Sequence, residues 1–425
     1  MVRIARLAAL LLLPFLVPGG SAAAAEKPIT VWIDQPRMPM IDAYKKAFPA
    51  KAKLIKAVVV DREQFPAKVL LFNNTNQGWP DVVFAEPRLV GRVADAAHRF
   101  PLDLKPHVPA DVLKGFAGMA GCTFGDKVYC LRNDLAQFVV YYNKPLFEKF
   151  GYEVPATYEE LRALSDKVAK EHPGYLLGTW GDGWTFLSYF GASGCPTHEL
   201  VNENTLRIDV TDPRCLRAAK LVDHMLANGT LWNTDFFDPT FVTKQNEGKV
   251  LMVPMASWAW GVFGGKPDST YFKTAERQLG VAPPLRWAAD AQALTATQGG
   301  AAWTVSRHTK NPKLATQLVT WLTTAPEIWS VMPNYPAYRP IMPLWQKQVS
   351  SDPLFAHDPY PVMKAAADLI TPLDKWPRFD LIGPLTQVVK EAQKNKATVE
   401  SALPKVAEQF APLAETAGYM VEVKK

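Results

Sequence analysis

The chain of 425 residues lacks the sequence signatures of several large enzyme classes. It contains no Gly-x-Ser-x-Gly segment, no Walker-type phosphate loop and no His-Glu-x-x-His segment. These absences remove the usual sequence grounds for predicting a serine hydrolase, a nucleotide hydrolase or a zinc protease. The carboxylate pairs that hydrolyse glycosides meet only in space, so the sequence leaves that chemistry open.

Cysteine and concentrated charge are also scarce. The four cysteines include no Cys-x-x-Cys pair and the seven histidines are scattered, so we expect neither a metal site nor a cofactor. The formal net charge of +6 is spread along the chain without a basic block, which argues against nucleic-acid binding. Hydrophobic residues make up 48% of the chain, enough to bury large cores.

A long apolar run is absent beyond the N-terminus. Arg3 and Arg6 precede an apolar segment at 8–17, and small residues at 21–25 fit a cleavage site after Ala25. The apolar segment is short for a membrane span, and no cysteine near the cut offers a lipid attachment point. We therefore expect a cleaved signal peptide at 1–25 and a soluble, exported, periplasmic protein.

The four cysteines suit an oxidising compartment, in which we expect two disulfides. Four cysteines allow three pairings. Cys122 and Cys130 flank a predicted three-residue hairpin loop at 125–127, which would pair residue 124 with 128 and residue 122 with 130. This hairpin favours the pair Cys122–Cys130 and leaves Cys195–Cys215 as the second pair.

Strands and helices alternate in the first part of the mature chain, which predicts a parallel sheet with right-handed crossovers and an α/β fold. Apolar and β-branched runs predict strands at 29–33, 54–60, 80–84, 128–131, 138–142, 250–255, 279–284 and 299–305. After the strand at 138–142, Thr157 and Glu160 predict a capping box at the start of a helix.

The segment 121–169 resembles the central signature of the extracellular solute-binding proteins of carbohydrate ABC importers, the maltose-binding-protein-like group or family 1. The matching residues are Gly125, Tyr129, Tyr142-Asn143-Lys144, Phe147, Gly151, Pro155, Thr157 and Glu159-Glu160-Leu161. Leu131-Arg132 departs from the pattern, because many members have a proline there. The resemblance implies a type II periplasmic binding fold, with two α/β lobes of mixed sheets flanked by helices and a hinge between them.

The resemblance also implies how the chain divides and what it does. Lobe one would comprise 26–131 and 284–327, lobe two 133–283 and 328–425, with hinges at 131–134 and 281–284. The protein would be a monomer, not an enzyme. It would capture a sugar, a di- or oligosaccharide, between the lobes and deliver it to the membrane permease subunits of an ABC importer.

Polar residues at strand ends are the first candidates for the ligand site. In α/β sheets, ligands bind beyond the carboxyl ends of the strands. This rule nominates Asp34 and Arg37 after the first strand, Glu86 after the third, and Asn133 and Asp134 at the crossing between lobes. The alternative for each is a helix cap or a solvated loop charge.

Aromatic clusters in predicted loops supply the second set of candidates, because sugar rings offer C–H faces for stacking and hydroxyls for charged groups. This set, with its polar neighbours, is Trp180, Asp182, Trp184, Trp258, Gly300, Tyr338, Arg339, Trp376 and Arg378. Core packing is the alternative for every tryptophan, and we expect one member of each Trp pair in the core. The resemblance favours Trp258 and Trp376 for stacking.

Two other functions stay open at this point. A glycerophosphodiester or polyol ligand would be favoured if Arg37, Arg339 and Arg378 converged on one point, since arginines bind phosphate. A secreted carbohydrate-active enzyme is the alternative from a different class. Product analysis after incubation with oligosaccharides separates an enzyme from a binding protein.

Overall fold

The computed structural model describes residues 26–95, 97–263, 273–330 and 332–424. The predicted signal peptide at 1–25 lies outside the described residues. Among the helices in these ranges, none combines the length and the apolar character that a membrane span requires.

The strands in these ranges are, in chain order, β1 (Ile29–Ile33), β2 (Ile55–Val59), β3 (Val82–Ala85), β4 (Thr123–Phe124), β5 (Lys127–Val128), β6 (Leu131–Arg132), β7 (Phe138–Asn143), β8 (Glu199–Leu200), β9 (Thr205–Ile208), β10 (Met252–Ala256), β11 (Leu279–Ala282), β12 (Ala302–Val305) and β13 (Met420–Val423).

The α-helices in the same ranges are α1 (Met38–Ala47), α2 (Phe65–Thr75), α3 (Pro87–Val93), α4 (Ala110–Lys114), α5 (Lys144–Phe150), α6 (Tyr158–Glu171), α7 (Gly183–Phe190), α8 (Pro213–Ala227), α9 (Pro239–Asn246), α10 (Trp260–Phe263), α11 (Pro312–Thr324), α12 (Pro326–Trp329), α13 (Met342–Ser350), α14 (Tyr360–Ala367), α15 (Ile382–Asn395) and α16 (Val399–Thr416).

The first lobe is built on a five-stranded sheet with the order β2-β1-β3-β12-β6. β1 is parallel to β2 and β3, as the sequence predicts, whereas β12 is antiparallel to β3 and β6. Val31 and Val82 pack into one apolar core, while Trp32 and Val83 pack into another on the opposite face. Burial on both faces explains why these strands are nearly continuous apolar runs.

The second lobe contains an antiparallel sheet with the order β10-β7-β11. In the central strand, Tyr142 is opposite Met252 on one side and opposite Gly280 on the other. The strands predicted at 138–142, 250–255 and 279–284 therefore form one sheet. A smaller sheet, β13-β9-β8, lies in the same lobe, where α16 packs on α15 and α8.

The two lobes are joined by segments around 133–137, 297–301 and 334–337, which lie side by side. The N–H of Asn133 donates to the carbonyl of Ala301 at 2.7 Å, and bridges pair Gln137 with Thr297 and Asp134 with Pro336. Residues 133–134 of the first predicted crossing lie among these segments. The predicted hinge at 281–284 is not a crossing, because Val281 is paired with Tyr141 inside the second sheet.

The residues that follow β11 also pack on the second lobe. The Trp287 ring lies 4.7 Å from the Tyr158 ring, and its Nε1–H donates to Ser193 Oγ at 2.8 Å. Asp290 forms an ion pair with Arg217 of α8 at 2.6 Å. This packing differs from the predicted start of a lobe-one segment at 284, because Trp287 packs on α6 and Asp290 is ion-paired with α8.

The predicted capping box at the start of α6 is present. Thr157 Oγ1 accepts from the N–H of Glu160 at 3.1 Å, and the Glu160 carboxylate accepts from the N–H of Thr157 at 3.1 Å. Two donors that the helix leaves unpaired at its N-terminus are thereby satisfied by local sequence alone.

Both predicted disulfides, Cys122–Cys130 and Cys195–Cys215, are present. The predicted hairpin register is wrong by one residue, since Thr123 pairs with Val128 and Phe124 with Lys127 around a two-residue loop. Gly125 has a φ of +60°, which a tight two-residue turn requires at its first position. The single strand predicted at 128–131 is also wrong, because the chain breaks there into β5 and β6.

Candidate ligand-binding site

A cavity of about 400 Å³, here called the main cleft, lies between the two lobes at the carboxyl ends of β1 and β3. This volume falls in the range typical of small-ligand sites. The main cleft is lined by Asp34, Pro36, Arg37, Arg62, Glu86, Asp134, Asp182, Trp184, Phe237, Trp258, Gln298, Gly299, Gly300, Ala301 and Asn334. Its lining includes eight of the sequence candidates: Asp34, Arg37, Glu86, Asp134, Asp182, Trp184, Trp258 and Gly300.

The first-lobe wall is a chain of ion pairs between neighbouring strand ends. Arg62 reaches Asp34 at 3.5 Å and Glu86 at 3.0 Å, and Arg37 reaches Asp34 at 3.3 Å. Arg62 was missed by the sequence analysis. It stands three residues beyond the end of β2, so the strand-end rule that found Asp34 and Glu86 also points to it.

Two polar atoms of this wall have no hydrogen-bond partner within the described ranges. They are Asp34 Oδ1 and Arg37 Nε, and both are buried. A buried donor or acceptor without a partner is costly, because the group has lost its water without a replacement. The wall therefore contains one acceptor and one donor whose hydrogen-bonding capacity is unused.

Glu86 is held ionised at the back of this wall. Its side chain is 2% exposed, and Arg88 Nε donates to Glu86 Oε2. Burial opposes ionisation, but the charges of Arg88, Arg62 and Arg132 outweigh it and lower the pKa of Glu86 below its ordinary value. The carboxylate is therefore negatively charged at neutral pH.

The second-lobe wall presents aromatic rings. The Trp258 and Phe237 rings are parallel, with an interplanar angle of 1° and centroids 6.2 Å apart. Trp258 Nε1–H donates to the Gln298 carbonyl at 2.8 Å, which fixes the orientation of the indole. Trp260 is 5% exposed and donates to the Pro333 carbonyl at 2.8 Å, so it belongs to the core. Trp258 lies within a 3₁₀ turn at Ser257–Ala259, and Trp260 directly follows this turn.

The segment at 180–184 likewise has one tryptophan in the core and one in the main cleft. Trp180 is 1% exposed and packs against Phe186, whereas Trp184 lines the main cleft. Asp182 caps α7 by accepting from the N–H of Thr185 at 2.8 Å. Burial, with a smaller contribution from Asp235, raises the pKa of Asp182 above its ordinary value.

The floor of the main cleft is formed by the crossing segments. Asp134 accepts from the N–H of Ala301 at 3.2 Å and from the Nδ2 groups of Asn133 at 3.0 Å and Asn334 at 3.1 Å. Asn133 lies behind the floor, where its Oδ1 accepts from Trp303 Nε1 at 3.2 Å. The candidate Asn133 therefore orients Asp134 from below and does not itself line the cleft.

The remaining candidates lie elsewhere. Tyr338 packs on Phe116, with ring centroids 4.9 Å apart, and Arg339 lines a separate cavity of about 310 Å³. Trp376 and Arg378 line a third cavity of about 360 Å³. Arg37, Arg339 and Arg378 are thus distributed among three cavities and do not converge on one point.

Three further lining residues, Phe237, Gln298 and Asn334, were not found from the sequence. Phe237 is 38% exposed and lies in a loop before α9, far in sequence from Trp258. Asn334 belongs to the Pro-rich stretch after α12. These positions carry no local signal, because only the packing of distant segments brings them to the cleft.

Comparisons with known proteins agree with this architecture. The family described as bacterial extracellular solute-binding protein matches residues 40–357. The multiple sugar-binding protein of Streptococcus mutans is 28% identical over 202 residues, 44% of this chain and 45% of that protein. The maltodextrin-binding protein MdxE of Bacillus subtilis is 23% identical over 315 residues, 69% of each chain. The chain therefore spans less than half of the first relative.

Solved structures share the fold. The galacto-N-biose/lacto-N-biose I-binding protein of Bifidobacterium longum superposes with a TM-score of 0.74 at 17% identity, over 94% of this chain and 100% of that one. The GacH receptor of Streptomyces glaucescens gives 0.73 at 20% identity, over 93% and 100%. These structures show the two-lobe type II fold. Because the family match covers well over half of its length, this chain belongs to the bacterial extracellular solute-binding protein family.

Proposed function

We propose that this protein binds a neutral sugar, a di- or oligosaccharide, in the main cleft and delivers it to the permease of an ABC importer. The observation that carries the proposal is the presence of the Trp258, Trp184 and Phe237 rings and of the charged side chains of Asp34 and Arg37 in one cleft. Aromatic faces cover the apolar C–H faces of a sugar ring. A hydroxyl can donate to Asp34 and accept from Arg37, so one chemical group satisfies both.

The relatives support this class of ligand. Their names refer to multiple sugars and to maltodextrin, and the Bifidobacterium longum protein belongs to an ABC transporter. The expected signal peptide supports export to the periplasm. In this proposal lobe one comprises 26–131 and about 296–327, and lobe two comprises 133 to about 295 and 328–425. The two lobes rotate about the crossing segments and close on the ligand.

Charge complementarity favours a neutral ligand over a phosphodiester. Arg62 is already paired with Asp34 and Glu86, and Arg37 is paired with Asp34. Asp134 and Asp182 add further carboxylates to the lining. A phosphate would meet these carboxylates without an unpaired arginine to offset them, whereas hydroxyls donate to carboxylates.

The carboxylates also support binding over glycoside hydrolysis. Glu86 is paired with two arginines, Asp134 accepts from three N–H groups, and Asp182 caps α7. Hydrolysis needs one carboxyl group that donates a proton and another that activates water or attacks the sugar. Carboxylates committed to structural hydrogen bonds are better suited to hold hydroxyls.

A thermal-shift screen of the protein without residues 1–25 tests the proposal. The library contains oligosaccharides, polyols and glycerophosphodiesters, and we expect a sugar to raise the melting temperature because it binds the native state. Asp34→Asn should lower the affinity for that sugar by roughly tenfold or more, which is the effect of losing a hydrogen bond to a charged group. Asp42→Asn, on the exposed side of α1, is the matched control. Stabilisation by a phosphodiester alone, or turnover of an oligosaccharide, contradicts the proposal.

A further inference from the structure

One residue of the crossing segments adopts a backbone conformation that is costly for its type. Ala136 has a φ of +56°, in the left-handed region, where the Cβ of an L-residue comes too close to the following carbonyl oxygen. On the neighbouring segment, Gly299 and Gly300 have φ values of +85° and +72°, which glycine adopts without this penalty. The crossing therefore bends through left-handed positions on two adjacent segments, and the position held by alanine is strained.

Ala136 differs from the other non-glycine residues with positive φ in the described ranges. Those four residues are exposed: Asn76, Arg99, Arg277 and Lys396. Asn76 and Lys396 directly follow α2 and α15, and a left-handed residue is common at the end of a helix. Ala136 is fully buried, and its methyl group has no polar atom to offset the strain through a local hydrogen bond. The surrounding structure therefore has to hold Ala136 in this conformation.

Side chains from both lobes fix the backbone on either side of Ala136. Arg132 Nη2 donates to the Leu135 carbonyl at 3.3 Å, and Gln137 Nε2 donates to the Met363 carbonyl at 2.8 Å. Arg132 belongs to β6 of the first lobe and Met363 to α14 of the second. Strained backbone persists only where its surroundings over-determine it. The conformation of Ala136 therefore depends on how the two lobes are placed relative to each other.

Ala136 lies where the chain passes from one sheet to the other. β6 ends at Arg132 in the first-lobe sheet, and β7 begins at Phe138 in the second-lobe sheet. Rotation of one sheet against the other has to be absorbed by the backbone dihedral angles of the segments between them. The left-handed positions at 136 and 299–300 therefore belong to the pivot about which the lobes turn.

The pivot is hydrogen-bonded to an aromatic ring of the main cleft. Gln298 connects the two, because its N–H donates to the Ala136 carbonyl at 3.0 Å and its own carbonyl accepts from Trp258 Nε1 at 2.8 Å. The N–H of Ser257 also donates to the Gln137 carbonyl at 2.8 Å. A ligand that holds the Trp258 ring thereby restrains the residue that is bonded to Ala136.

We propose that Ala136 is a strained pivot residue that lowers the affinity of the protein for its sugar. The strain belongs to the arrangement described here, in which the lobes touch: a Cβ added to Gly91 of α3 would lie 3.8 Å from the Pro377 carbonyl of the second lobe. When the lobes rotate apart, Ala136 leaves the left-handed region and the strain is released. Ligand binding then has to restore the strain, so part of the interaction energy is used at the hinge. The inference rests on the proposed function, because it takes the ligand to be a sugar held between the lobes.

Ala136→Gly tests the proposal, because glycine adopts a positive φ without the strain. Small-angle scattering of the ligand-free proteins should give a smaller radius of gyration for Ala136→Gly than for wild type. Calorimetry uses maltotriose, xylotriose and lactose, and the affinity for any of these that binds wild type should rise roughly threefold or more. Asn76→Gly is the matched control, since it replaces a residue with a φ of +52° at the end of α2, and it should change neither quantity.

The outcomes separate this inference from the proposed function. A ligand-free radius of Ala136→Gly that equals or exceeds that of wild type overturns the strained pivot, and so does an unchanged or lower affinity. The same changes in Asn76→Gly overturn it as well, because they would be a general effect of added glycine. Failure of Ala136→Gly to fold, measured by urea denaturation, would show that the methyl group is needed for packing and also overturns the proposal. If no sugar binds wild type, the proposed function fails, while the ligand-free radii still decide the role of Ala136.

Discussion

The guanidinium of Arg88 lies over the indole of Trp184, with its Cζ 5.6 Å from the ring centroid. Arg88 belongs to α3 of the first lobe and Trp184 to α7 of the second. Arg88 Nη1 also lies 3.9 Å from Asp380 Oδ1 in the second lobe, and the same guanidinium is paired with Glu86 at the main cleft. One buried side chain therefore connects a carboxylate of the cleft to the opposite lobe.

From this contact we predict that Arg88→Gln weakens closure of the lobes. The variant loses the cation–π contact and the charge facing Asp380, which favour the closed arrangement. Small-angle scattering at saturating sugar should give a larger radius of gyration for Arg88→Gln than for wild type. Arg92→Gln on the same helix is the control. Identical radii for all three proteins, with binding verified by calorimetry, would contradict the prediction.

Replacement of Trp258 is predicted to reduce ligand binding, whereas replacement of Trp260 is predicted to reduce stability. Trp258→Ala should cost about 1–3 kcal/mol of sugar binding and little stability, because this partly exposed ring lines the cleft. Trp260→Ala should instead cost roughly 3–5 kcal/mol of stability, because it leaves a cavity in the core. Calorimetry and urea denaturation of both variants distinguish the roles. A Trp258→Ala protein that is unstable but binds normally would show that Trp258 is a core residue.

A side chain at Gly300, in the floor of the cleft, is predicted to lower the stability of the fold. Its φ is +72°, and an added Cβ would lie 2.7 Å from the Leu135 carbonyl and collide with the Arg132 guanidinium. Gly248 has a similar φ of +68° with nothing within 4 Å of an added Cβ. Gly248→Ala should cost about 1 kcal/mol for the backbone strain alone, and Gly300→Ala clearly more. Equal changes in the urea midpoint would contradict this prediction, because they would mean that the crossing segments shift to accommodate the added Cβ at little cost.

The two disulfides are predicted to stabilise the fold to different extents. Their sequence separations are 8 residues for Cys122–Cys130 and 20 for Cys195–Cys215. Loop-closure entropy then predicts losses of about 2.6 and 3.3 kcal/mol when each pair is replaced by serine. Urea unfolding of the two double variants measures the difference. Non-reducing peptide mapping that found free thiols would contradict the pairing itself.

His198 is predicted to make the fold sensitive to mild acid. Burial lowers its pKa from 6.5 to about 4. Between these values the unfolded state binds more protons than the folded state, so stability falls as pH falls through this window. The total loss is roughly 3 kcal/mol at 1.36 kcal/mol per pKa unit. His198→Asn should flatten the urea-midpoint profile between pH 6.5 and 4, whereas His107→Asn, an exposed histidine, should not. Parallel profiles for all three proteins would refute this assignment.

Much of the framework follows from local sequence. The strands at 29–33, 54–60 and 80–84 were predictable because short apolar runs bounded by turn residues are typical of buried strands. The capping box of Thr157 and Glu160 is equally local. The pairing Cys122–Cys130 was predictable despite a register error of one residue, because a hairpin of either loop length brings the two cysteines within reach.

The candidate site was predictable only in part, and for a definite reason. Asp34 and Glu86 were found because a strand end is a local feature and neighbouring parallel strands end at one edge of the sheet. Nothing local distinguishes Trp258 from Trp260, or Trp184 from Trp180. Their separation between cleft and core depends on where the 3₁₀ turn and the cap of α7 direct each ring.

The relative positions of distant segments were decided by the tertiary structure alone. Arg37, Arg339 and Arg378 were all candidates for the ligand site from the sequence, yet the three line different cavities. Val281 is paired inside the second sheet, and beyond it Trp287 packs on the second lobe and Asp290 forms an ion pair with it, whereas Thr297 pairs with Gln137. Local periodicity determines which strands and helices form. Long-range packing determines which of their ends face each other, and a binding cleft consists of such facing ends.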